Sequence, residues 1–335
     1  MLNQVKAIFS SRRSTWPKRL YGHGDPIWTL LLIFGSLLVP LLILAVGWML
    51  WNQSAAARAE FGWNFLLPTL DANWDPIASN FQAWPFVYGT LLTSVVAIAL
   101  AVPMSVGVAI FLAELCPSWL RLPLNWMIEL LAAIPSVVYG LWGIFVFLPN
   151  IVAPVGSLMS KTLGQIPGLA PLFAGPMPHS GVSRLGAAFI LAIMIMPTIT
   201  AVTRDVLLSI PNSQREASLA LGSTQWEAIW KVLLPYGLSG ILGAILLGLG
   251  RALGETMAVT MVIGNSITGK PSLLSPGYTM ASVIANEFAE AVSELHSQVL
   301  IEIGLVLFFL TLALNVAARL LVWSVARRTL QEVRS

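Results

Sequence analysis

The chain has 335 residues, of which 57% are hydrophobic and 10% charged, with a formal net charge of +3. That composition excludes an ordinary soluble core and points to a protein made largely of membrane-spanning segments. One cysteine, Cys116, excludes an internal disulfide and any CxxC redox or metal site, and it reads as a small apolar filler.

A span needs about 20 apolar residues in sequence. Residues 28–51, 87–113, 128–148, 186–208, 236–263 and 299–323 qualify. The predicted fold class is therefore an all-α membrane protein of six transmembrane helices. Residues 1–26 form an N-terminal cytoplasmic segment and 27–335 the transmembrane domain. The first stretch is too long for a cleaved signal, and no small-residue cleavage site closes it. An even number of spans puts both termini on one side. With that side inward, the inner pieces hold Lys6, Arg12, Arg13, Lys18, Arg19, Arg121, Arg204, Arg215, Lys231, Arg319, Arg327, Arg328 and Arg334. Outside remain Arg58, Lys161, Arg184 and Lys270. The positive-inside rule selects this orientation, with both termini cytoplasmic in a cell inner membrane. Because the basic residues flank spans, the positive charge implies lipid as a partner and no nucleic acid.

In chain order, residues 1–26, with Trp16 and Tyr21, read as a topology anchor on anionic lipid. Residues 52–86 form an outer loop whose tryptophans 63, 74 and 84 read as interface anchors. The second span contains Pro103, which bends it, and ends near Glu114, read as a solvated helix-end carboxylate. Residues 114–127 make a short inner loop. In the third span Pro135 and Gly140 read as packing and bending features, with Ser136 and Tyr139 bringing hydroxyls nearby. Residues 149–184, rich in proline and glycine, predict an irregular outer loop, and His179 in it reads as solvated. The fourth span carries Pro197, then Thr198, Thr200 and Thr203. Arg204 and Asp205 near its inner end can pair locally, and Pro211 closes it.

The loop 209–235 is polar between two apolar runs. Ser213-Gln214-Arg215-Glu216 has the spacing of a capping box and predicts a short helix, which Gly222 ends at a left-handed position. Thr224-Gln225-Trp226-Glu227 repeats the pattern and starts a second helix toward Pro235. In the fifth span Gly240, Ala244, Gly248 and Ala252 recur every four residues, a small-residue stripe that lets helix backbones approach closely. Gly250 and Gly254 make a second small pair. Arg251 and Glu255 stand four apart on one predicted face. A charge in mid-span costs at least about 2.5–3.5 kcal/mol, so Arg251 needs a partner or water. The functional reading gives Arg251 a substrate oxyanion and Glu255 the task of orienting it. The alternative is a mutually neutralising structural pair.

These residues carry a resemblance. Glu216-Ala217-Ser218, Gly222 and Val232-Leu233-Leu234-Pro235 match the E-A-A-x3-G-x9-I-x-L-P pattern of ABC importer permeases, with Ser at the third position and Val for Ile. The resemblance implies the type I importer permease fold and makes residues Glu216 to Gly222 a coupling helix that docks on an ATPase subunit. WPFVYGTLLTS, FLAEL and RALGETMAVTMVIGN are similar to the phosphate-importer (Pst) permeases, of the PstC branch. That resemblance implies as partners a PstA-like permease, two PstB-like ATPase subunits and a PstS-like phosphate-binding protein. ATP hydrolysis would belong to the ATPase, and no cofactor or metal is implied.

Other readings are weaker. Gly264, Gly269 and Lys270 imitate a Walker A loop, but Pro271 stands where the Mg²⁺-binding hydroxyl is required. Glu287, Glu290 and Glu294 read as a solvated helix face. The sixth span ends at Trp323, with Arg327 and Arg328 fixing the tail inside. An intramembrane enzyme would need a nucleophile or metal set. The chain has no HExxH or GxSxG, and only His23, His179 and His296. A permease for another oxyanion, molybdate- or sulfate-like, is the nearest alternative. An ion-coupled secondary transporter would call for more buried carboxylates and inverted repeats.

Overall fold

A computed structural model describes residues 25–68, 74–267 and 270–332, with side chains described for 28–68, 74–267 and 270–324. The readings placed on Trp16, Tyr21, Gly269 and the side chains of Arg327 and Arg328 lie outside the described residues. The chain divides into two units, residues 1–49 and 50–335. Among the described residues six helices are long and apolar enough to cross a membrane: Trp28–Gln53, Trp84–Leu115, Ser136–Gln165, Arg184–Leu208, Gln225–Leu253 and Glu294–Ser324.

The first helix, α1, spans Asp25–Gln53 and continues past Ser54 into α2, Ala55–Phe61. Side chains of the first unit from Trp28 to Met49 are exposed almost throughout. In the second unit, α3 (Trp84–Ile110) runs through Pro103 and ends in a π-helical turn, Phe111–Leu115.

The third span departs from expectation. Residues 118–133 form a separate helix, α4 (Ser118–Ala133), none of whose residues is buried. Ile134 is extended because it precedes Pro135, and a residue before proline is pushed out of the helical region. A new helix, α5 (Ser136–Trp142), starts after it and continues through the π-helical stretch Gly143–Val152 into α6, Ala153–Thr162. The predicted span 128–148 therefore straddled a break. The predicted irregular loop 149–184 is helical for most of its first half. Pro154 sits in the first turn of α6, where its missing donor costs nothing. Near Pro149 the Asn150 amide donates to the Val146 carbonyl at 2.8 Å.

The next helix, α7 (Arg184–Leu208), is the centre of the bundle. Its sequence is apolar on all sides, which suits a helix enclosed on all sides. Two thirds of its apolar window is buried (67%), against about one third or less for the other spans. Its N-terminal N–H groups find carbonyls in the 270–275 segment: Arg184 donates to Ser275 at 3.1 Å and Leu185 to Leu273 at 2.8 Å. The Ser183 hydroxyl caps Gly186 at 3.0 Å. Arg184 itself is 1% exposed, its Nη1 bonding the carbonyls of Lys270 and Ser272 at 2.7 and 3.0 Å. Thus Arg184 is a structural lock on the start of α7. Arg204 at the other end pairs with Asp205 at 2.8 Å and reaches Glu129 of α4 at 3.9 Å.

After the connector helices α8 (Asn212–Ala220) and α9 (Gln225–Ala228), a π-helical stretch, Ile229–Leu233, leads into α10, Leu234–Leu253. The small-residue stripe meets α7: a Cβ on Gly240 would lie 2.7 Å from Val206, and one on Gly248 would lie 2.7 Å from Ile199. Gly250 faces open space. Gly254 to Thr256 interrupt the helix before α11, Met257–Ile263, so the predicted span 236–263 is not continuous. Then follow α12 (Met280–Glu287) and α13 (Glu294–Glu332). Glu287 is not solvated as expected. It accepts from the Trp74 indole at 2.8 Å and faces His296 at 3.2 Å, while Glu290 and Glu294 are exposed.

The closest backbone approach is at Gly89 of α3, where any Cβ would overlap the Tyr278 carbonyl oxygen. Gly89→Ala should therefore destabilise the purified protein, by more than the roughly 1–3 kcal/mol typical of overpacking because backbone rather than a side chain must move, and so lower its melting midpoint. Gly243→Ala, which enters open space, should leave the midpoint unchanged. Equal midpoints for the two variants would contradict this packing.

Candidate functional site

Two polar centres interrupt the bundle. The first is at the connector. Helix α8 does not form the predicted capping box: its N-cap is Pro211, without a side-chain cap, and Ser213 lies inside the helix. Proline before the first turn already stops the chain from continuing α7, so the start needs no serine. Its C-terminus is as expected. Gly222 has φ +86°, with its N–H bonded to Leu219 at 3.0 Å and Ser223 N bonded to Ser218 at 3.4 Å, a Schellman closure. The Ser218 hydroxyl meets the Ser223 hydroxyl at 2.6 Å, so serine at the third motif position adds a bond across the turn. The second box forms fully. Glu227 N donates to Thr224 Oγ1 at 3.2 Å, and Thr224 N donates to the Glu227 carboxylate at 3.0 Å.

What holds α8 against the bundle is Arg215. Its Nη2 lies 2.6 Å from Glu114 Oε1, and its Nε lies 3.1 Å from both carboxylate oxygens. Nη1 also donates to the Ile210 carbonyl at 2.7 Å and Nη2 to the Leu207 carbonyl at 2.8 Å. Gln225 adds a bond to the Glu114 carbonyl at 3.2 Å. Glu114 is thus a half-buried ion-pair partner, with 9% of its side chain exposed, and not a solvated helix end. Sequence reading missed it, although Glu114 and Arg215 were assigned to the same membrane side. The opposite surface is open. Glu216, Ala217 and Gly222 are exposed, and Leu219, Leu221, Trp226 and Trp230 present apolar surface, Leu221 at 90% exposure.

The second centre is the break after α10. Arg251 lies in the last turn of that helix, half-buried, not midway along an unbroken one. A cation is favoured there by the helix dipole. Its Nη1 donates to Thr198 Oγ1 of α7 at 3.2 Å. Among the described residues it forms no ion pair with Glu255. Glu255 has left the helix, and its carboxylate accepts from Ala258 N at 3.1 Å, holding the first turn of α11. The expectation of one shared face fails because Gly254 ends the helical phase between the two residues. Tyr139 of α5 donates to the Leu131 carbonyl at 2.8 Å. Ala244, Gly248 and Ala252 are buried and Gly240 is half-buried.

The described residues thus form a bundle of apolar helices, long enough to cross a membrane, with a polar, surface-presenting connector braced into it. Residues 105–331 match the family model of the binding-protein-dependent transport system inner membrane component. The chain is 44% identical over 280 residues to the phosphate transport system permease protein PstC of Xylella fastidiosa, covering 84% of each chain. It is 43% identical over 325 residues to the protein of the same name from Mesorhizobium japonicum, covering 97% of each. Among solved structures, a bacterial ABC transporter for import of the polysaccharide alginate aligns with TM-score 0.58 at 15% identity, covering 92% of this chain and 99% of that one. The inward-facing MetNI methionine transporter aligns with TM-score 0.53 at 18% identity, covering 76% and 99%. Those two likenesses speak to the fold. The chain belongs to the binding-protein-dependent inner membrane components and, within them, to the PstC permeases.

Removing either Arg215 or Glu114 leaves the other charge buried without its partner, a costly arrangement. A double-mutant cycle with Arg215→Met and Glu114→Gln, read from melting midpoints, should give a coupling energy of about 1–3 kcal/mol. Additive effects of the two substitutions would contradict a working pair.

Proposed function

We propose that this chain is the membrane-spanning subunit of an ATP-driven phosphate importer. It forms the path with a homologous PstA-like permease and receives substrate from a PstS-like binding protein. Two PstB-like ATPases dock at the connector. Both termini and the connector lie in the cytoplasm, and the membrane is the cell inner membrane. The observation that carries this reading is the geometry of the connector: one face clamped to the ends of α3 and α7, the other offering exposed Glu216, Ala217, Leu219 and Leu221. Movement of a docked motor is then transmitted to the spans, which rock to alternate access. The names of the close relatives support phosphate as substrate.

Arg251 is proposed as the group that meets the oxyanion. One of its five N–H donors is engaged by Thr198, and a guanidinium suits phosphate oxygens because it binds them in pairs. Glu255 shapes the break that presents it, rather than pairing with it. The stripe Gly240, Ala244, Gly248 and Ala252 keeps α10 close to α7, so Arg251 and Thr198 move together.

Gly222→Asp places a side chain at a left-handed position, a strain of roughly 1–2 kcal/mol. It should abolish phosphate uptake while the protein remains in the membrane, and normal uptake by a correctly inserted variant would contradict the coupling role. Arg251→Gln should reduce uptake by more than about a hundredfold, on the scale of losing an oriented donor to a charged centre. Arg251→Lys, a point charge, should be only partly tolerated. If the Gln variant transports normally, Arg251 is structural. Uptake that follows an ion gradient instead of ATP would favour a secondary transporter.

A further inference from the structure

Away from both centres, the second unit contains a cavity of about 730 Å³. It is lined by the end of α1, by α2 and the turn Gly62–Leu66 after it, by the start of α3, and by α13. Leu305, Phe309 and Leu310 form its apolar wall along α13. From Glu302 to Leu310 that wall runs about 12 Å, at 1.5 Å per residue, in the direction that an acyl chain takes through a bilayer. Trp51, Trp63 and Trp84 line it too, all from segments where α1 ends and α3 begins, hence on one face of the membrane. Indole rings gather at headgroup depth.

Two charged side chains share this cavity. Glu302 is 5% exposed, and its Oε2 is fully buried with no hydrogen-bond partner among the described residues. A carboxylate left so in a span is costly and calls for a counter-group. Arg58 is the nearby cation, yet no ion pair joins the two among the described residues. Its guanidinium is instead held over the Trp51 ring, 3.7 Å from the centroid, and its Nε donates to Ser54 Oγ at 3.2 Å. The site therefore offers a fixed cation and a separate buried carboxyl group beside an apolar trough.

We infer that the cavity binds a zwitterionic phospholipid with a primary amine headgroup. The ammonium donates to Glu302, the phosphate meets Arg58, and one acyl chain lies along Leu305 to Leu310. A trimethylated headgroup has no N–H to give Glu302, and a glycerol headgroup has no cation. The lipid supplies the missing partner of Glu302 and occupies the groove between α2 and α13.

The test uses delipidated full-length protein, incubated separately with phosphatidylethanolamine, phosphatidylcholine and phosphatidylglycerol of matched chains. Retained lipid is counted by native mass spectrometry. Phosphatidylethanolamine should be retained with a preference of roughly tenfold, and Glu302→Gln should remove that preference, as expected for loss of one charged hydrogen bond. Leu310→Trp, at a half-buried position of the wall, narrows the trough and leaves Glu302 in place; it should expel the lipid with little change in the melting midpoint, and it carries the test if the Gln variant does not accumulate. Equal retention of the three lipids overturns the assignment. So does a preference unchanged in either variant, or a cysteine at position 309, an exposed residue of the wall, that crosslinks to a protein helix in the membrane.

Discussion

One guanidinium ties the connector helix of this protein to the rest of the bundle. Arg215, on the connector helix, bonds Glu114 at the end of α3 and the carbonyls of Leu207 and Ile210 at the end of α7. Leu207 lies in the last turn of that helix and Ile210 just past it, where carbonyls lack the regular i+4 donors. A cation at that end is favoured by the helix dipole and by the carboxylate at once. Because the three groups converge on a single side chain, the connector cannot shift without loading both helices.

Helix α7 extends that constraint into the membrane. It packs against α3, α4, α10 and α11, and it is the most enclosed span. Ser105 of α3 donates to the Met196 carbonyl at 3.2 Å, beside Pro197, and Thr200 returns a bond to the Ser105 carbonyl at 3.4 Å. Two turns or so from the Arg215 clamp, Thr198 holds Arg251. Leu207 and Thr198 are about 14 Å apart along the helix axis. The proposed coupling surface and the proposed substrate contact thus share one rigid element, which gives a physical route between them.

Much of this was legible in the chain. Spans of apolar residues, the left-handed Gly222 and the Thr224–Glu227 box follow from local rules, and local rules suffice where neighbours do not intervene. The failures all involve partners distant in sequence or a break in helical phase. Glu114 looked solvated because its partner lies about a hundred residues away. Arg251 and Glu255 looked paired because a four-residue spacing was read through Gly254, where the helix stops. Ser213 looked like a cap, but Pro211 already sets the start of α8. Proline and glycine between 149 and 165 suggested a loop, whereas Pro149 falls in a π-helical stretch and Pro154 in the first turn of α6, so the chain stays helical. Glu302 drew no comment from sequence, since nothing local marks a lone carboxylate as buried beneath a groove.

The central claim is that the Arg215-braced helix faces the cytoplasm and bears on a motor subunit. Leu221, at the exposed tip, gives the most direct access to it. A photocrosslinking residue placed there in the intact membrane complex should capture the ATPase, with a yield that changes when ATP is bound and hydrolysed. Capture of no protein, or labelling of position 221 by a membrane-impermeant reagent added to the outer face, would contradict the account.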